Sequence, residues 1–162
     1  MDAGFHIRRA ERADLPIVLS FIRQLAEYER LSDAVTATEE LISENIFGPN
    51  AAAEVLLGFL QGDPVAFSVF FHNFSTFMGK RGLYLEDLFV VPEMRGRGFG
   101  KAMLRHLARL AVERDCGRFE WAVLDWNESA IGFYKDLGAA AMNEWTTFRI
   151  TGKVLERLAG EG

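Results

Sequence analysis

The sequence predicts an α/β domain of the α+β type, on three observations. Apolar segments of period two alternate with segments of period 3.6, two strands meet at a turn short enough for a hairpin, and an apolar strand runs through a glycine-rich turn into an amphipathic helix. With 162 residues, 49% hydrophobic and 25% charged, the chain has the size and composition of one soluble globular domain with a single core, so residues 1–162 are read as a single domain.

Phe5 to Arg8 forms a short first strand, and Asp14 followed by Pro16 marks a helix start. Leu15, Val18, Ile22 and Leu25 recur at helical spacing toward Arg30. Thr38 with Glu39 and Glu40 opens a second helix that Gly48-Pro49 ends. Glu54 to Leu60 and Val65 to Phe74 are strands joined at Gln61-Gly62-Asp63-Pro64, a hairpin. Gly82 to Val91 is the next strand, and the helix from Gly98 to Arg114 lines up Met103, Leu104, Leu107, Leu110 and Ala111 on one face. Arg118 to Leu124 gives a fifth strand, Ser129 to Leu137 a helix ended by Gly138, and Thr146 to Ile150 a last strand.

Charge and cysteine content narrow the function. A formal charge of −5 argues against a general nucleic-acid binder, whose affinity needs clustered Lys and Arg, and suits a cationic ligand better. Cys116 is the lone cysteine, so neither an intramolecular disulfide nor a cysteine zinc site can form, and His6, His72 and His106 lack metal-ligand spacing; no metal is expected. Met1-Asp2-Ala3-Gly4-Phe5-His6 carries no basic region leading into an apolar stretch, and no apolar run reaches the roughly 18 residues of a membrane span. The expected compartment is the cytoplasm, with no membrane partner.

The chemistry concentrates between Leu85 and Leu104. Glu86 and Asp87 sit in an apolar strand that leads to Arg95-Gly96-Arg97-Gly98-Phe99-Gly100-Lys101, and glycines at 96, 98 and 100 leave main-chain N–H groups open at a helix start. An anion fits there. A Walker A loop is excluded, since Arg95 stands where its first Gly belongs and Ala102 where Ser or Thr belongs. The dinucleotide pattern G-x-G-x-x-G fails at Lys101 in one register and at Met103 in the other.

What remains, Arg95-x-x-Gly98-x-Gly100, resembles the coenzyme A pyrophosphate loop of the GNAT N-acetyltransferase superfamily, and the order of elements resembles the GNAT fold from end to end. Tyr28-Glu29, Tyr84-Leu85-Glu86-Asp87, Trp126-Asn127-Glu128, Phe133-Tyr134-Lys135 and Gly138-Ala139 resemble the diamine (spermidine/spermine) acetyltransferase family. One departure is Phe74-Ser75-Thr76-Phe77-Met78-Gly79, which lacks the carboxylate that polyamine-using members carry before the central strand.

The resemblance implies a mixed, mostly antiparallel central sheet with helices on both faces. It implies acetyl-CoA as cosubstrate and transfer to a small diamine, polyamine or lysine-like amine by direct attack in a ternary complex. An alkyl ammonium of pKa roughly 10.4 is neutral in only about one part in 10³ at pH 7, a cost of about 4 kcal/mol that a proton acceptor must offset. The resemblance gives Glu86 that role, directly or through water, and gives Tyr134 the role of acid toward the departing thiolate. Adjacent strand residues point to opposite faces, so Glu86 and Asp87 share a cleft only if a bulge intervenes; Asp87 is otherwise a strand-end carboxylate in an ion pair.

By the same resemblance the backbone from Gly96 to Lys101 receives the pyrophosphate. Leu88, Phe89 and Val90 pair with the pantetheine amides, and a backbone N–H near Leu88 holds the oxyanion. Arg95, Arg97 and Lys101 are the basic candidates for phosphate contact, and Asn127 and Ser129 either reach the pantetheine or cap their helix. Tyr28 and Glu29 form the outer wall of the acceptor site. His72, Trp121 and Trp126 read as structural. The resemblance also implies a homodimer, with Trp145, Phe148, Ile150, Val154, Leu155 and Leu158 as its apolar contact. Two other readings stay open, a protein or peptide N-acetyltransferase and an inactive acyl-CoA-binding regulatory module.

Overall fold

A computed structural model describes residues 3–161; Met1 and Asp2, which enter the leader reading above, and Gly162 lie outside the described residues. The chain divides into two compact units, Met1–Ala122 and Val123–Gly162. Among the described residues no helix is long and apolar enough to cross a membrane.

The first unit is built on strands β1 (Phe5–Arg9), β2 (Glu54–Leu60), β3 (Asp63–Ser75), β4 (Lys80–Val90) and β5 (Arg118–Trp121), with helices α1 (Leu15–Tyr28), α2 (Glu39–Phe47) and α3 (Phe99–Glu113). The sheet order is β1-β2-β3-β4-β5, antiparallel up to β4 and parallel between β4 and β5, which is the mixed, mostly antiparallel sheet expected. The β2–β3 connection is tighter than the sequence suggested. Leu60 pairs with Asp63, leaving Gln61 (φ 52) and Gly62 (φ 91) as a two-residue turn whose positive φ values match strand twist.

Alternation along the strands sends Val55, Leu57, Phe59, Phe67, Val69 and Phe89 to one face, where they pack with Val18, Phe21 and Leu25 of α1. The other face keeps residue 58 a glycine, because a Cβ there would meet the Phe5 ring and Ala66; that ring stacks on Phe99 of α3 at 4.4 Å. Helices thus cover both faces. Asp14 is buried at the start of α1, where its carboxylate accepts from both Arg8 terminal nitrogens (2.7 and 2.9 Å) and from Glu11 N–H (2.7 Å). Thr38 Oγ1 caps α2 by accepting from Leu41 N–H at 3.2 Å. At the far end of the sheet, Arg114 ties α3 to β2 by donating to both Glu54 oxygens (2.6 and 3.0 Å). His72 Nε2 lies 3.3 Å from that guanidinium, the structural setting read from the sequence.

The second unit contains α4 (Glu128–Asp136) and α5 (Gly152–Gly160). Two expectations are corrected. Residues 146–150 are not a strand: the alternation of Phe148 and Ile150 is present, but a strand exists only by pairing, and no ladder is formed there among the described residues. The helix α5 that follows was not read from the sequence, since glycines bound its nine residues and its apolar repeat is only Val154, Leu155 and Leu158. β5 also ends at Trp121 rather than Leu124.

Phe67, fully buried in β3 and stacked on Phe21 at 5.0 Å, marks the centre of the core. Phe67→Ala should destabilise the fold by about 3–5 kcal/mol in urea titration, whereas Phe74→Ala on the same strand, 65% exposed, should cost under about 0.5 kcal/mol.

Candidate active site

β4 carries one residue more than its partner. Val69 faces Asp87 and Phe70 faces Leu85, so Glu86 is an extra residue in a β-bulge. The parallel pairing with β5 ends one residue earlier, at Leu85 with Trp121. Beyond it, the edge of β4 from Glu86 to Val90 has no strand partner on that side among the described residues.

The bulge decides where the carboxylates go. Counting from Phe89 on the α1 face, Asp87 falls on the same face, beside Val69. Glu86 is exposed, and its charge pushes up the pKa of both Asp87 and Glu29, so the three carboxylates form one cluster at the C-terminal end of α1. Burial is the larger cause in each case. Asp87 is pushed up to about 7, by burial first, then by Glu86 and Glu29. Sequence reasoning left Asp87 as a strand-end ion pair; the bulge, which adjacent carboxylates in a strand would need in order to share a cleft, was the signal for its placement here.

The same strand offers main-chain groups. Val91 N–H donates to Val65 carbonyl at 2.9 Å, and antiparallel alternation then turns Phe89 toward β3 and Leu88 and Val90 outward. Of the three residues expected to pair with an extended ligand, Leu88 and Val90 have the open edge, while Phe89 is committed to the sheet and its ring to the core at 4% exposure.

Past the strand, a short 3₁₀ turn (Pro92–Met94) leads into the glycine segment. Gly96 (φ 77) and Gly98 (φ 87) adopt left-handed backbone, and Gly98 occupies the N-cap of α3 without a side chain over the helix end. The first N–H groups of α3 are thus left to a ligand or solvent. Gly100, inside the helix, would bring a Cβ only to ordinary contact with Val90 at 3.8 Å. Phe99 contributes main chain alone, its ring being buried against Phe5.

The basic residues of this turn separate. Lys101 is exposed on the first turn of α3, and the Arg97 guanidinium lies 5.2 Å from the Phe99 ring centre. Arg95 folds back: its Nε donates to Val90 carbonyl at 3.0 Å, and its guanidinium covers Tyr28 at 4.4 Å and Phe89 at 5.2 Å. Tyr28 ends α1, 40% exposed, and Glu29 is its half-buried C-cap.

In the second unit, Asn127 does cap α4, its Oδ1 accepting from Ala130 N–H at 3.3 Å, while Ser129 is exposed. Tyr134 is half-buried next to Phe133, ring centres 5.6 Å apart. In the hairpin between β3 and β4, Ser75 Oγ accepts from Arg118 at 2.6 Å and from Met78 N–H at 3.2 Å. That hydroxyl holds the turn. A groove of about 250 Å³ along α1, lined by Ile17, Phe21, Pro64 and Val91, contains no titratable side chain and is separate from the carboxylates. Among the described residues no His, Cys, Asp or Glu group is arranged to hold a metal ion.

A sequence profile described as the acetyltransferase (GNAT) family matches residues 20–139. The chain is 39% identical to the thialysine N-epsilon-acetyltransferase of Sus scrofa, covering 98% of this chain and 99% of that protein. It is 29% identical to the L-ornithine N5-acetyltransferase of Arabidopsis thaliana, covering 94% of this chain and 86% of that one. An integron cassette protein from the mobile metagenome of V. cholerae superposes with a TM-score of 0.82 at 26% identity, covering 99% of this chain and 100% of that one.

The cluster makes a pH prediction. Asp87, with its folded pKa raised to about 7, keeps its proton in the native state after the unfolded chain has released it, so stability declines as pH rises from about 4 to 7. Asp87→Asn removes that loss. Its stability relative to the parent should climb across this window, reaching on the order of 1–4 kcal/mol at pH 7 in urea unfolding. A difference that stays flat with pH would contradict the placement of Asp87.

Proposed function

Because the chain belongs to the acetyltransferase (GNAT) family, we propose that it moves the acetyl group of acetyl-CoA to the terminal amine of a small dibasic acceptor, a lysine-like amino acid or a short diamine. The observation that carries this reading is the bulge at Glu86, which gathers three carboxylates beside an unpaired main-chain edge and a glycine turn. The names of the pig and Arabidopsis relatives, thialysine and L-ornithine acetyltransferases, point to the same class of acceptor.

The residues divide the work as follows. Main-chain N–H groups from Gly96 to Lys101 receive the pyrophosphate, and the outer edges of Leu88 and Val90 pair with the pantetheine amides. Leu88 N–H stabilises the oxyanion as the amine nitrogen attacks the thioester carbon. Glu86 and Glu29 bind the acceptor's ammonium. A carboxyl near pKa 7 is a far better proton acceptor than an ordinary one, and an incoming cation favours its ionised form, so Asp87 shares with Glu86 the removal of the amine proton. As the C–N bond forms and the C–S bond breaks, Tyr134 gives its hydroxyl proton to the thiolate. The side chain of Asn127 serves the helix cap.

With Ser75 engaged in its hairpin, nothing in Phe74 to Gly79 offers a carboxylate to a distant second ammonium. Long polyamines lose an anchor there. The reading extends to one catalytic domain over residues 1–162, a cytoplasmic location, supported by the unpaired thiol of Cys116, and a homodimer. Exposed Trp145, Phe148, Ile150, Val154, Leu155 and Leu158 support the dimer.

The reading is tested by kcat/KM for thialysine, ornithine, 1,4-diaminobutane and spermine at fixed acetyl-CoA. Thialysine, ornithine or the short diamine should exceed spermine by about tenfold or more, as a lost charge-assisted contact implies. A preference for spermine would overturn the acceptor, and turnover of peptide amines alone would replace it. Tyr134→Phe should lower kcat by roughly 10²-fold with coenzyme A affinity within about twofold in calorimetry. Unchanged kcat with chemistry rate-limiting would remove Tyr134 from the mechanism.

A further inference from the structure

Arg95 stands first in the glycine segment, where a phosphate contact is the obvious use of its charge. Its side chain runs the other way. Nε is bonded to Val90 carbonyl at 3.0 Å, and the guanidinium carbon lies over the Tyr28 ring, 4.4 Å from its centre, and 5.2 Å from the centre of Phe89. Phe89 in turn meets Phe21 of α1 edge-on, with ring centres 6.2 Å apart. One side chain therefore touches the end of β4, the end of α1 and, through its own backbone, the turn that begins at Gly96.

We propose that Arg95 is a positioning residue that fixes the acceptor wall at Tyr28 to the cofactor turn, and is not a phosphate ligand. The inference rests on the acetyl-transfer reading above. The bond from Nε to Val90 closes the chain on itself from residue 90 to residue 95, across the Pro92–Met94 turn, and so sets the angle at which the glycine segment leaves β4. The contact with the Tyr28 ring does the same for α1: Tyr28 is its last residue, and Glu29, whose carboxyl belongs to the acceptor cluster, follows directly. A flat cation with a donor in its plane can do both at once. Lysine cannot, because its ammonium is a point donor that either bonds the carbonyl or sits over the ring. Arg97 and Lys101 remain as the basic side chains for the anion.

The geometry separates the two roles through charge. A phosphate ligand tolerates Arg95→Lys, which keeps the cation; a stacked strut does not. Four variants are compared with the parent: Arg95→Lys, Arg95→Met, Tyr28→Ala and the double change Arg95→Met with Tyr28→Ala. The readouts are coenzyme A affinity by calorimetry, thialysine affinity for the coenzyme A complex by the same method, and KM and kcat for thialysine.

Arg95→Lys and Arg95→Met should both weaken thialysine by about tenfold in affinity and KM, with kcat within about twofold of the parent; because the Val90 bond also sets the glycine segment, any loss of coenzyme A affinity should be the same in both variants within about twofold. In the Tyr28→Ala background, Arg95→Met should add less than about twofold to the loss of thialysine, because the α1 ring that the guanidinium holds is already gone. Loss of coenzyme A affinity by about tenfold in Arg95→Met with recovery in Arg95→Lys would overturn the proposal in favour of a phosphate contact. Equal effects of Arg95→Met with and without the Tyr28 ring would overturn it as well. If the parent chain binds coenzyme A but neither binds nor acetylates thialysine, that acceptor is wrong, and coenzyme A affinity alone judges Arg95: equal in Arg95→Lys and Arg95→Met it supports the strut, and lost about tenfold in Arg95→Met with recovery in Arg95→Lys it refutes it.

Discussion

One surplus residue in β4 organises this molecule. The insertion of Glu86 into the ladder shifts the facing of every later side chain by one place, which is why Asp87 looks toward α1 and not toward α3. It falls where β4 and β5 stop pairing, so the main chain beyond it has no strand partner on one side among the described residues while the β3 side stays bonded. A flat, fully paired β4 would have buried the edge and put the two carboxylates on opposite faces of the sheet. Removing one residue from this strand would thus dismantle the edge and the charge cluster together, though it would leave the core residues of β2 and β3 where they are.

The charges of the first unit fall into two populations. Asp14 and Glu54 are held by arginines, Arg8 and Arg114, and hydrogen bonds from those cations keep both carboxyls below their ordinary range. These pairs fasten α1 and α3 to the sheet. Asp87 and Glu29 are displaced upward, by burial and by one another's neighbours, with no cation among the causes. A fold under selection for stability alone would not gather like charges there. The contrast marks the first population as structural, and the second is the one on which the proposed acceptor site rests.

Most of the architecture was legible in the residue pattern. Pro16 and Thr38 announce their helices, the Phe99 to Ala111 stripe announces α3, and alternation announces β2 and β3, because in each case a local rule and the final packing agree. The glycine turn was legible too, since only glycine comfortably accepts the left-handed backbone seen at 96 and 98. Besides α5 and the end of β5, three things were hidden. The bulge was raised only as a condition, because whether a strand carries an extra residue depends on the register of its neighbour, which no local spacing encodes. The side chain of Arg95 looked like a free cation because Tyr28, the ring that it covers, comes from a distant part of the chain. Residues 146–150 looked like a strand because alternation records what a segment could pair with, not whether a partner is present.

The open stretch of β4 is also a hazard, since unpaired main-chain groups invite a strand from another molecule and seed aggregation. Here Arg95 shortens the invitation. By occupying the Val90 carbonyl it leaves Leu88 N–H, Leu88 carbonyl and Val90 N–H as the outward groups between the bulge and the turn, fewer than a stable strand pairing of at least about three residues requires. A slim molecule with a pair of amides can still be held by them. The arginine thereby acts as a gatekeeper, shortening the edge that another polypeptide could pair with.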